Sequence, residues 1–373
     1  MANEKLEEAF SFLRDNLKFK YILILIADIS NKMSESLNIA IVGATGYIGL
    51  ELIKILSKHK KVKILYLCAT KSIGENISKF DSKIKKKGLP KISKIENINW
   101  DKIKLIFTAL PNGGAHAIAN KLPNNVKLID LSGDFRLKDH KLFKKWYGIK
   151  HKSIKLIKKS KYALTEFSKK DLSKYKIISC PGCYPTSIQL ALIPLVEKKL
   201  IKTNNIIIDS KSGYSGGGKN IKKKFKFKNL LSSVTSYGVG YHRHMAELDQ
   251  ELTKVSKNKI KVTFTPHLIP MFRGILSTIY VECTKRSSAK KIYIKLKKYH
   301  KKNVFVKIAK FGENISTGEV INTNLCKISV FQNREKNHVI ITSVIDNLLK
   351  GGSGQAVQNM NVAYKFKETT GLL

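Results

Sequence analysis

Gly43-Ala44-Thr45-Gly46-Tyr47-Ile48-Gly49 is the stretch of sequence that decides the fold. It follows an apolar run over residues 37–42 and opens a segment with helical spacing over 47–58. Glycines at a strand-to-helix turn let the backbone approach a pyrophosphate, which binds the free N–H groups at the positive end of the helix dipole. The spacing is G-x-x-G-x-x-G rather than G-x-G-x-x-G, and a packing turn is the alternative. The residues expected at a dinucleotide are Gly43, Ala44, Thr45, Gly46, Tyr47 and Ile48.

Outward from this turn, short apolar strands alternate with helical segments. The first strands are predicted at residues 37–42, 62–68, 105–110, 128–131 and 176–179. This alternation is typical of a Rossmann-type parallel α/β sheet that is covered on both faces. Beyond residue 183, a helix over 185–199 precedes strands at 206–209, 261–268, 274–281, 327–331 and 339–344. A run of strands after a βαβ half predicts a second domain of the α+β class with a mixed or antiparallel sheet.

Composition excludes several classes of protein. No stretch approaches the roughly 20 apolar residues that span a bilayer, and the run at 21–27 lacks the cleavage site of a signal peptide. Five cysteines in 373 residues are not a disulfide framework, and an odd number of thiols suits a reducing compartment. We therefore expect a cytoplasmic protein without a membrane partner.

The charge is strongly positive, with 70 lysines and arginines against 27 acidic residues. Only six of the 70 are arginines, whereas proteins that read nucleic acids rely on arginine forks. We therefore expect a general lysine bias and no nucleic-acid partner, with polyanion binding as the alternative. The rare arginines mark sites that need a planar guanidinium, which suits carboxylates and phosphates. Three lie in motifs and are predicted to bind an acidic substrate, with structural ion pairs as the alternative: Arg136, Arg243 and Arg273.

The stretch Ser179-Cys180-Pro181-Gly182-Cys183-Tyr184-Pro185-Thr186 carries the predicted nucleophile. Pro185 suits the first position of the next helix. Cys183 is therefore expected just before a helix N-terminus, where the dipole lowers the pKa of a thiol and favours the thiolate. A disulfide with Cys180, a buried structural pair and half of a zinc site are the alternatives. No second C-x-x-C accompanies the motif, so no metal site is predicted.

Tyr241-His242-Arg243-His244 is the second predicted catalytic cluster, with a surface or core histidine pair as the alternative. A histidine beside the thiol would take its proton and later protonate the leaving oxygen or the tetrahedral intermediate. Alternate residues on an extended segment point the same way, so His242 and His244 could both reach the site. We expect His242 to be the acid/base because the glycine-containing approach over 238–241 lets its backbone come close to the thiol.

The end of the second strand, Cys68-Ala69-Thr70-Lys71-Ser72, bears on the choice of cofactor. An acidic residue here would bind the ribose of NAD, whereas a cation and hydroxyls suit a 2′-phosphate. Thr70, Lys71 and Ser72 therefore predict NADP. The glycine loop over 212–219 could cover the nicotinamide or the phosphate, with a plain linker as the alternative. Its expected cofactor contacts are Ser212 and Gly213.

In their order along the chain, from about residue 36 onward, these motifs resemble the N-acetyl-gamma-glutamyl-phosphate reductase family of arginine biosynthesis. Beside the Gly43 turn, the matching stretches are GDFRL at 133–137, KWYG at 145–148, LTE at 164–166, PGCYPT at 181–186, HRH at 242–244, RG at 273–274, DNL at 346–348, KG at 350–351 and QAVQNMN at 355–361. Two positions depart from the family pattern. Cys180 stands where Asn is usual, and Met245-Ala246 precedes Glu247.

The resemblance implies an NADP-binding domain and a semialdehyde-dehydrogenase-like catalytic and dimerisation domain. We expect residues 36–183 with 346–373 in the first and 184–345 in the second. Residues 1–35 would be an appended arm or, with Met33 as the start, not native. The implied reaction is NADPH-dependent reduction of N-acetyl-gamma-glutamyl phosphate to the semialdehyde through a Cys183 thioester, in a dimer or tetramer. Asn347 is expected at the cofactor. Reductases of carrier-linked aminoadipyl phosphate or of aspartyl phosphate are the alternatives.

Overall fold

A computed structural model of the chain describes residues 7, 20, 36–85, 87–219, 221, 229 and 231–373. The expected extension over 1–35 lies outside the described residues apart from two positions. Within the described ranges, no helix is long and apolar enough to cross a membrane.

The first part of the chain forms a parallel sheet, as predicted, but with seven strands rather than the five that the sequence indicated. The strands are β1 (Leu37–Val42), β2 (Val62–Cys68), β3 (Ile92–Ser93), β4 (Leu105–Thr108), β5 (Lys127–Asp130), β6 (Ser160–Tyr162) and β7 (Ile177–Ser179). Their order is β3-β2-β1-β4-β5-β7-β6. The helices are α1 (Tyr47–Leu56), α2 (Gly114–Asn120), α3 (His140–Tyr147), α4 (Ile154–Ile157) and α5 (Thr165–Ser168).

Both faces of this sheet are covered, and β1 shows why its sequence is almost wholly apolar. Ile39 and Ile41 belong to one apolar cluster, whereas Ala40 and Val42 belong to another. Successive side chains of a strand point to opposite faces, so each face of β1 has its own core. This arrangement explains the continuous apolar runs from which the parallel sheet was predicted.

The second part forms a mixed sheet of seven strands, which confirms the predicted α+β class. The strands are β8 (Ile206–Gly213), β9 (Thr235–Ser236), β10 (Val262–Ile269), β11 (Ile275–Glu282), β12 (Val306–Ile308), β13 (Cys326–Gln332) and β14 (His338–Ile345), in the order β12-β13-β14-β11-β8-β10-β9. The helices are α6 (Cys183–Glu197), α7 (His244–Ser256) and α8 (Ala289–His300). One face packs against these helices. The other leaves Ile207 41% and Tyr280 40% exposed.

Helix α6 differs from its prediction in position and in burial. It begins at Cys183, so Pro185 is its third residue rather than its first. A proline is tolerated there because the N–H groups of a first turn have no intrahelical acceptor. Every residue from Tyr184 to Val196 is buried, not one stripe, because α6 packs against α7, α8, β11 and β14 together.

The C-terminal segment returns to the first sheet. A π-helix (Leu349–Ser353) leads into α9 (Gly354–Ala363), and the apolar side chains of α9 lie in the same cluster as Ile39 and Leu52. Its polar side chains are buried as well, and Asn359 donates to the carbonyl oxygen of Ala163 at 2.9 Å. A helix that is buried all round needs such internal partners for its polar groups.

Candidate active site

The Pro181-Gly182-Cys183 turn lies between β7 and α6, at the carboxyl end of the parallel sheet. Gly182 is the N-cap of α6 in an extended conformation. A Cβ atom on Gly182 would lie 2.4 Å from Nε2 of His244, a distance that real side chains do not tolerate. The sequence therefore needs glycine here so that an imidazole from the second domain can pack against the turn that holds the thiol.

Glu247 holds this turn, the histidine and an arginine together. It lies one helical turn after His244 in α7 and is fully buried. Its Oε2 accepts the N–H of Gly182 at 2.9 Å and the hydroxyl of Tyr162 at 3.2 Å. Its Oε1 accepts Nη1 of Arg136 at 2.9 Å. Sequence reasoning missed Glu247 as a functional residue, although its place three residues after His244 was the available signal.

Arg136 joins the two domains at the thiol. Its Nε donates to the carbonyl oxygen of Cys180 at 2.9 Å, and its Nη1 lies 3.5 Å from Nε2 of His244. The ion pair with Glu247 is almost completely buried, so it positions its neighbours more than it adds stability. The guanidinium of Arg136 thus donates to groups of the protein itself. Its predicted contact with the substrate stays a prediction.

The pKa values differ from the expectation of a stable thiolate. Burial raises the pKa of Cys183 to about 11, and the nearby Arg136 and Arg243 lower it only in part. Burial also lowers the pKa of His244 well below its usual value, and the charges of Arg136 and Arg243 lower it further. At neutral pH the site therefore holds a thiol and a neutral imidazole. Desolvation outweighs the helix dipole that the sequence argument relied on.

The histidine pair does not lie on an extended segment, which corrects the premise of its prediction. Arg243 has helical φ and ψ angles, and His244 is the first residue of α7. The two imidazole rings still lie 4.8 Å apart. Nδ1 of His242 accepts the backbone N–H of His244 at 3.2 Å, whereas Nε2 of His244 faces Gly182. The imidazole of His244 therefore packs directly against the turn that holds the thiol.

Arg243 faces the first domain. With the Asn112 amide turned to the orientation that satisfies both neighbours, Nη1 of Arg243 donates to its oxygen at 3.1 Å and its nitrogen donates to the carbonyl oxygen of Ser132 at 2.8 Å. Asn112 follows β4 and Ser132 follows β5, so the guanidinium is held at the carboxyl ends of two parallel strands. Ligands of open α/β sheets bind at this edge.

The glycine turn has the geometry that a bound pyrophosphate requires. Gly43 has a φ of +86°, and a Cβ atom there would lie 2.3 Å from the carbonyl oxygen of Ala109. A Cβ atom on Gly49 would lie 2.2 Å from the carbonyl oxygen of Gly43. Within the described chain, no side chain caps the N-terminus of α1 at Gly46. The first N–H groups of α1 thus suit a phosphate group, and these residues fit a dinucleotide.

The residues after β2 lie at the same edge of the sheet. Thr70 and Lys71 are exposed, and Ser72 has a φ of 64°. They begin two residues after Cys68, whose carbonyl oxygen accepts the backbone N–H groups of both Gly43 and Ala44, so this segment lies beside the glycine turn.

The remaining residues that were predicted to bind cofactor or substrate make contacts within the protein. β8 extends four residues beyond its prediction, so Ser212 and Gly213 lie inside the strand. Asn347 accepts the N–H of Gly274 at 2.7 Å and donates to Ser215 at 2.9 Å. Arg273 pairs with Asp346 at 2.8 Å and lies 3.4 Å from Glu51. Arg273 therefore forms the structural ion pairs that were the alternative to substrate binding. Cofactor or substrate binding by these four residues stays a prediction.

The π-helix connects the thiol to the glycine turn. A Cβ atom on Gly351 would lie 2.7 Å from Cβ of Cys183, and one on Gly352 would lie 2.7 Å from Cδ1 of Ile48. Two adjacent glycines therefore let the returning chain pass between the nucleophile and α1. The Gly351-Gly352 pair was the sequence signal for this contact, which was not predicted.

Cys180 lies on the other side of the turn. Its thiol accepts the amide of Asn359 at 3.6 Å inside the core of the first domain, whereas Cys183 packs against the core of the second. Both thiols are free. The disulfide considered from the C-x-x-C spacing is therefore not formed.

Comparisons with known proteins agree with this architecture. Residues 38–175 match the model of the semialdehyde dehydrogenase NAD binding domain, and residues 183–347 match that of the semialdehyde dehydrogenase dimerisation domain. The chain thus carries a nicotinamide-dinucleotide domain followed by a domain of the dimerising type.

The solved structures that resemble this fold include aspartate semialdehyde dehydrogenase II from Vibrio cholerae. The TM-score is 0.68 at 16% identity, over 89% of this chain and 99% of the other. The enzyme from Candida albicans, solved with NADP, gives a TM-score of 0.66 at 14% identity over 88% and 99%. At these identities the likeness shows the fold alone.

Among sequence relatives, the N-acetyl-gamma-glutamyl-phosphate reductase of Ehrlichia ruminantium (strain Gardel) is 44% identical over 91% of this chain and 99% of its own length. The protein of that name from Ehrlichia canis (strain Jake) is 42% identical over 91% and 98%. A probable chloroplastic one from Arabidopsis thaliana is 39% identical over 93% and 86%. The chain therefore belongs to the N-acetyl-gamma-glutamyl-phosphate reductase family of oxidoreductases.

Proposed function

We propose that this chain reduces N-acetyl-gamma-glutamyl phosphate to N-acetyl-glutamate 5-semialdehyde with NADPH and releases phosphate. The observation that carries the proposal is the position of the Cys183 turn: it packs against the His244 imidazole on one side, and on the other only the Gly351-Gly352 segment separates it from Ile48 of the dinucleotide turn. An acyl-phosphate reductase needs a nucleophile, a proton acceptor and a hydride donor at one carbon atom. The names of the relatives supply the substrate.

Cys183 is the nucleophile in this proposal, and His244 rather than His242 is the acid/base. With its proton on Nδ1, neutral His244 carries a lone pair on Nε2, which lies beside Gly182 and makes a long contact of 3.5 Å with Nη1 of Arg136. Release of that contact lets Nε2 take the thiol proton as sulfur attacks the acyl carbon. The imidazolium that forms lies 3.8 Å from Oε1 of Glu247, which stabilises it. The acyl–oxygen bond breaks, phosphate leaves, and a thioester remains on Cys183.

The cofactor, when bound, supplies a hydride to the thioester carbon. The residues that would hold it are those of the glycine turn, Gly43 to Ile48, with the phosphates at the N-terminus of α1. His244 holds a proton that it can give to the tetrahedral oxygen or return to the departing thiolate. Gly351 packs against the Cβ atom of Cys183, which helps to keep water from this side of the thioester.

NADPH is proposed over NADH on the basis of Thr70, Lys71 and Ser72. A lysine and two hydroxyls after β2 favour a 2′-phosphate, and no carboxylate stands there for a ribose hydroxyl. We also propose a homo-oligomer that uses the half-exposed face of the second sheet, where Ile207 and Tyr280 are uncovered. The free thiols favour a cytoplasmic protein.

Steady-state assays test the activity. NADPH oxidation should depend on N-acetyl-gamma-glutamyl phosphate, with aspartyl phosphate as the matched control substrate, and kcat/KM should be at least about tenfold lower with NADH. Equal rates with aspartyl phosphate would contradict the substrate assignment. Equal kcat/KM for NADH would contradict the role of Lys71 without touching that of Cys183.

A further inference from the structure

The hydroxyl of Tyr147 is a buried polar group that the mechanism above does not use. Tyr147 is the last residue of α3, and its ring stacks on Phe143 with centroids 4.5 Å apart. Its Oη is buried and makes no well-formed hydrogen bond within the described chain. Arg136 lies near enough to act on it as a hydrogen-bond donor but cannot accept the hydroxyl proton. Buried polar atoms are normally hydrogen-bonded, so an unpaired hydroxyl at the edge of a catalytic site points to a ligand.

This hydroxyl has the same charged neighbours as the nucleophile. Glu247, Arg136 and Arg243 act electrostatically on the Tyr147 hydroxyl and on the Cys183 thiol alike. The geometry agrees, since Tyr147 packs against the apolar cluster that contains Ala246, two residues after His244. Since burial and Glu247 raise the pKa of Tyr147, it stays a neutral O–H donor beside two guanidinium groups. A neutral donor between cations suits an anionic oxygen.

Arg243 is held so that it can share that oxygen. Its Nη1 donates to Asn112, which is fixed in turn by the carbonyl oxygen of Ser132. A guanidinium carries five N–H donors in a planar fork, so this hydrogen bond sets the plane of the fork and leaves other donors for a ligand.

We propose that Tyr147 is a substrate-binding residue that donates a hydrogen bond to a phosphoryl oxygen of the acyl phosphate, together with Arg243. The proposal rests on the proposed function. The phosphoryl group is preferred over the distant carboxylate of the substrate because it is bonded to the carbon that Cys183 attacks. A hydroxyl that shares three charged neighbours with the thiol lies at the reacting end of the substrate.

The reverse reaction separates the two anionic groups, because semialdehyde and inorganic phosphate are then independent substrates. Tyr147→Phe keeps the stacked ring and removes only the hydroxyl. The KM for phosphate should rise about 10- to 100-fold, the scale of a lost hydrogen bond to a charged group, while the KM for semialdehyde and for NADP stays within about twofold. Tyr364→Phe is the matched control, since the hydroxyl of Tyr364 donates to the backbone carbonyl oxygen of Lys104 at 2.8 Å, away from the site.

Asn112→Ala provides a second variant and should raise the KM for phosphate severalfold through Arg243. An unchanged phosphate KM in Tyr147→Phe would overturn the proposal, and so would a rise confined to the semialdehyde KM, which would assign the hydroxyl to the carboxylate. A lower melting temperature with all KM values raised would indicate a packing role and would also overturn it. If wild-type protein shows no phosphate-dependent NADP reduction, the proposed function fails, and this proposal fails with it.

Discussion

Cys180 and Cys183 are separated by two residues and have opposite surroundings. Both thiols are buried enough to raise their pKa, to about 12 for Cys180 and about 11 for Cys183. Cys180 faces the amide nitrogen of Asn359, which can only donate to it. Cys183 lies on the His244 side of the turn, beside a neutral base. If the proposed mechanism holds, the difference teaches that reactivity in this motif is set by the neighbour that can accept a proton and not by the thiol's own pKa.

Replacement of Cys183 breaks this comparison most strongly. Cys183→Ser should lower kcat by about 10⁴-fold or more, as loss of a nucleophile does in other enzymes that form acyl intermediates. It should also abolish the acyl-enzyme that mass spectrometry of the quenched reaction detects in the wild type. Residual turnover close to the wild-type rate would show that the thioester forms elsewhere.

The fold was predictable because its signals are local. The glycine turn and the apolar strands predicted the first sheet, and β1 and β2 have their predicted bounds. Glu247 and Gly351 could not be found in this way. Each acts on the Cys183 turn across more than 60 residues of chain. The spacing of Glu247 from His244 and the Gly351-Gly352 pair mark these residues as unusual, but neither signal says which distant segment they contact.

The imidazole of His244 lies on the Cys183 side of the turn, and it is the feature that most distinguishes the surroundings of the two thiols. His244→Ala should lower kcat by about 10²–10⁴-fold with little change in KM, the range for general acid–base help. The kcat of His242→Ala should fall less, since Nδ1 of His242 already accepts the backbone N–H of His244. Steady-state kinetics of both variants decide the assignment, and a larger kcat loss in His242→Ala would exchange the two roles.

The order of the histidines shows where sequence reasoning fails. An extended segment would have made His242 and His244 equivalent in direction. The helix begins at His244 instead, which turns Nε2 of its imidazole toward Gly182 and places Glu247 one turn away. A helix start depends here on tertiary contacts, since Arg243 at the N-cap offers no side-chain cap.

The pH dependence of alkylation sharpens the comparison between the thiols. Burial raises the pKa of Cys183 to about 11, so below that pKa its thiolate fraction rises tenfold per pH unit. Its rate of reaction with iodoacetamide should therefore rise about 100-fold from pH 7 to pH 9. Peptide mapping after timed quenches measures this rate, with Cys180→Ala as the control. A plateau at neutral pH would instead indicate a thiolate–imidazolium pair.

The smallest effect is expected at Cys180, where the family usually has Asn. Cys180→Ala removes a sulfur that accepts one weak hydrogen bond in the core of the first domain. The change leaves a small cavity and should cost about 1–2 kcal/mol of unfolding free energy, which denaturant titration measures. The kcat should stay within about twofold, because the group that holds Arg136 is the backbone carbonyl of residue 180 and not its thiol. Inactivation by mild oxidants should likewise match the wild type, since no disulfide joins the two thiols. A large kcat loss would mean that the core behind the turn controls the reactivity of the Cys183 thiol. If Cys180→Ala were protected from inactivation by oxidants, a disulfide between Cys180 and Cys183 would again be supported.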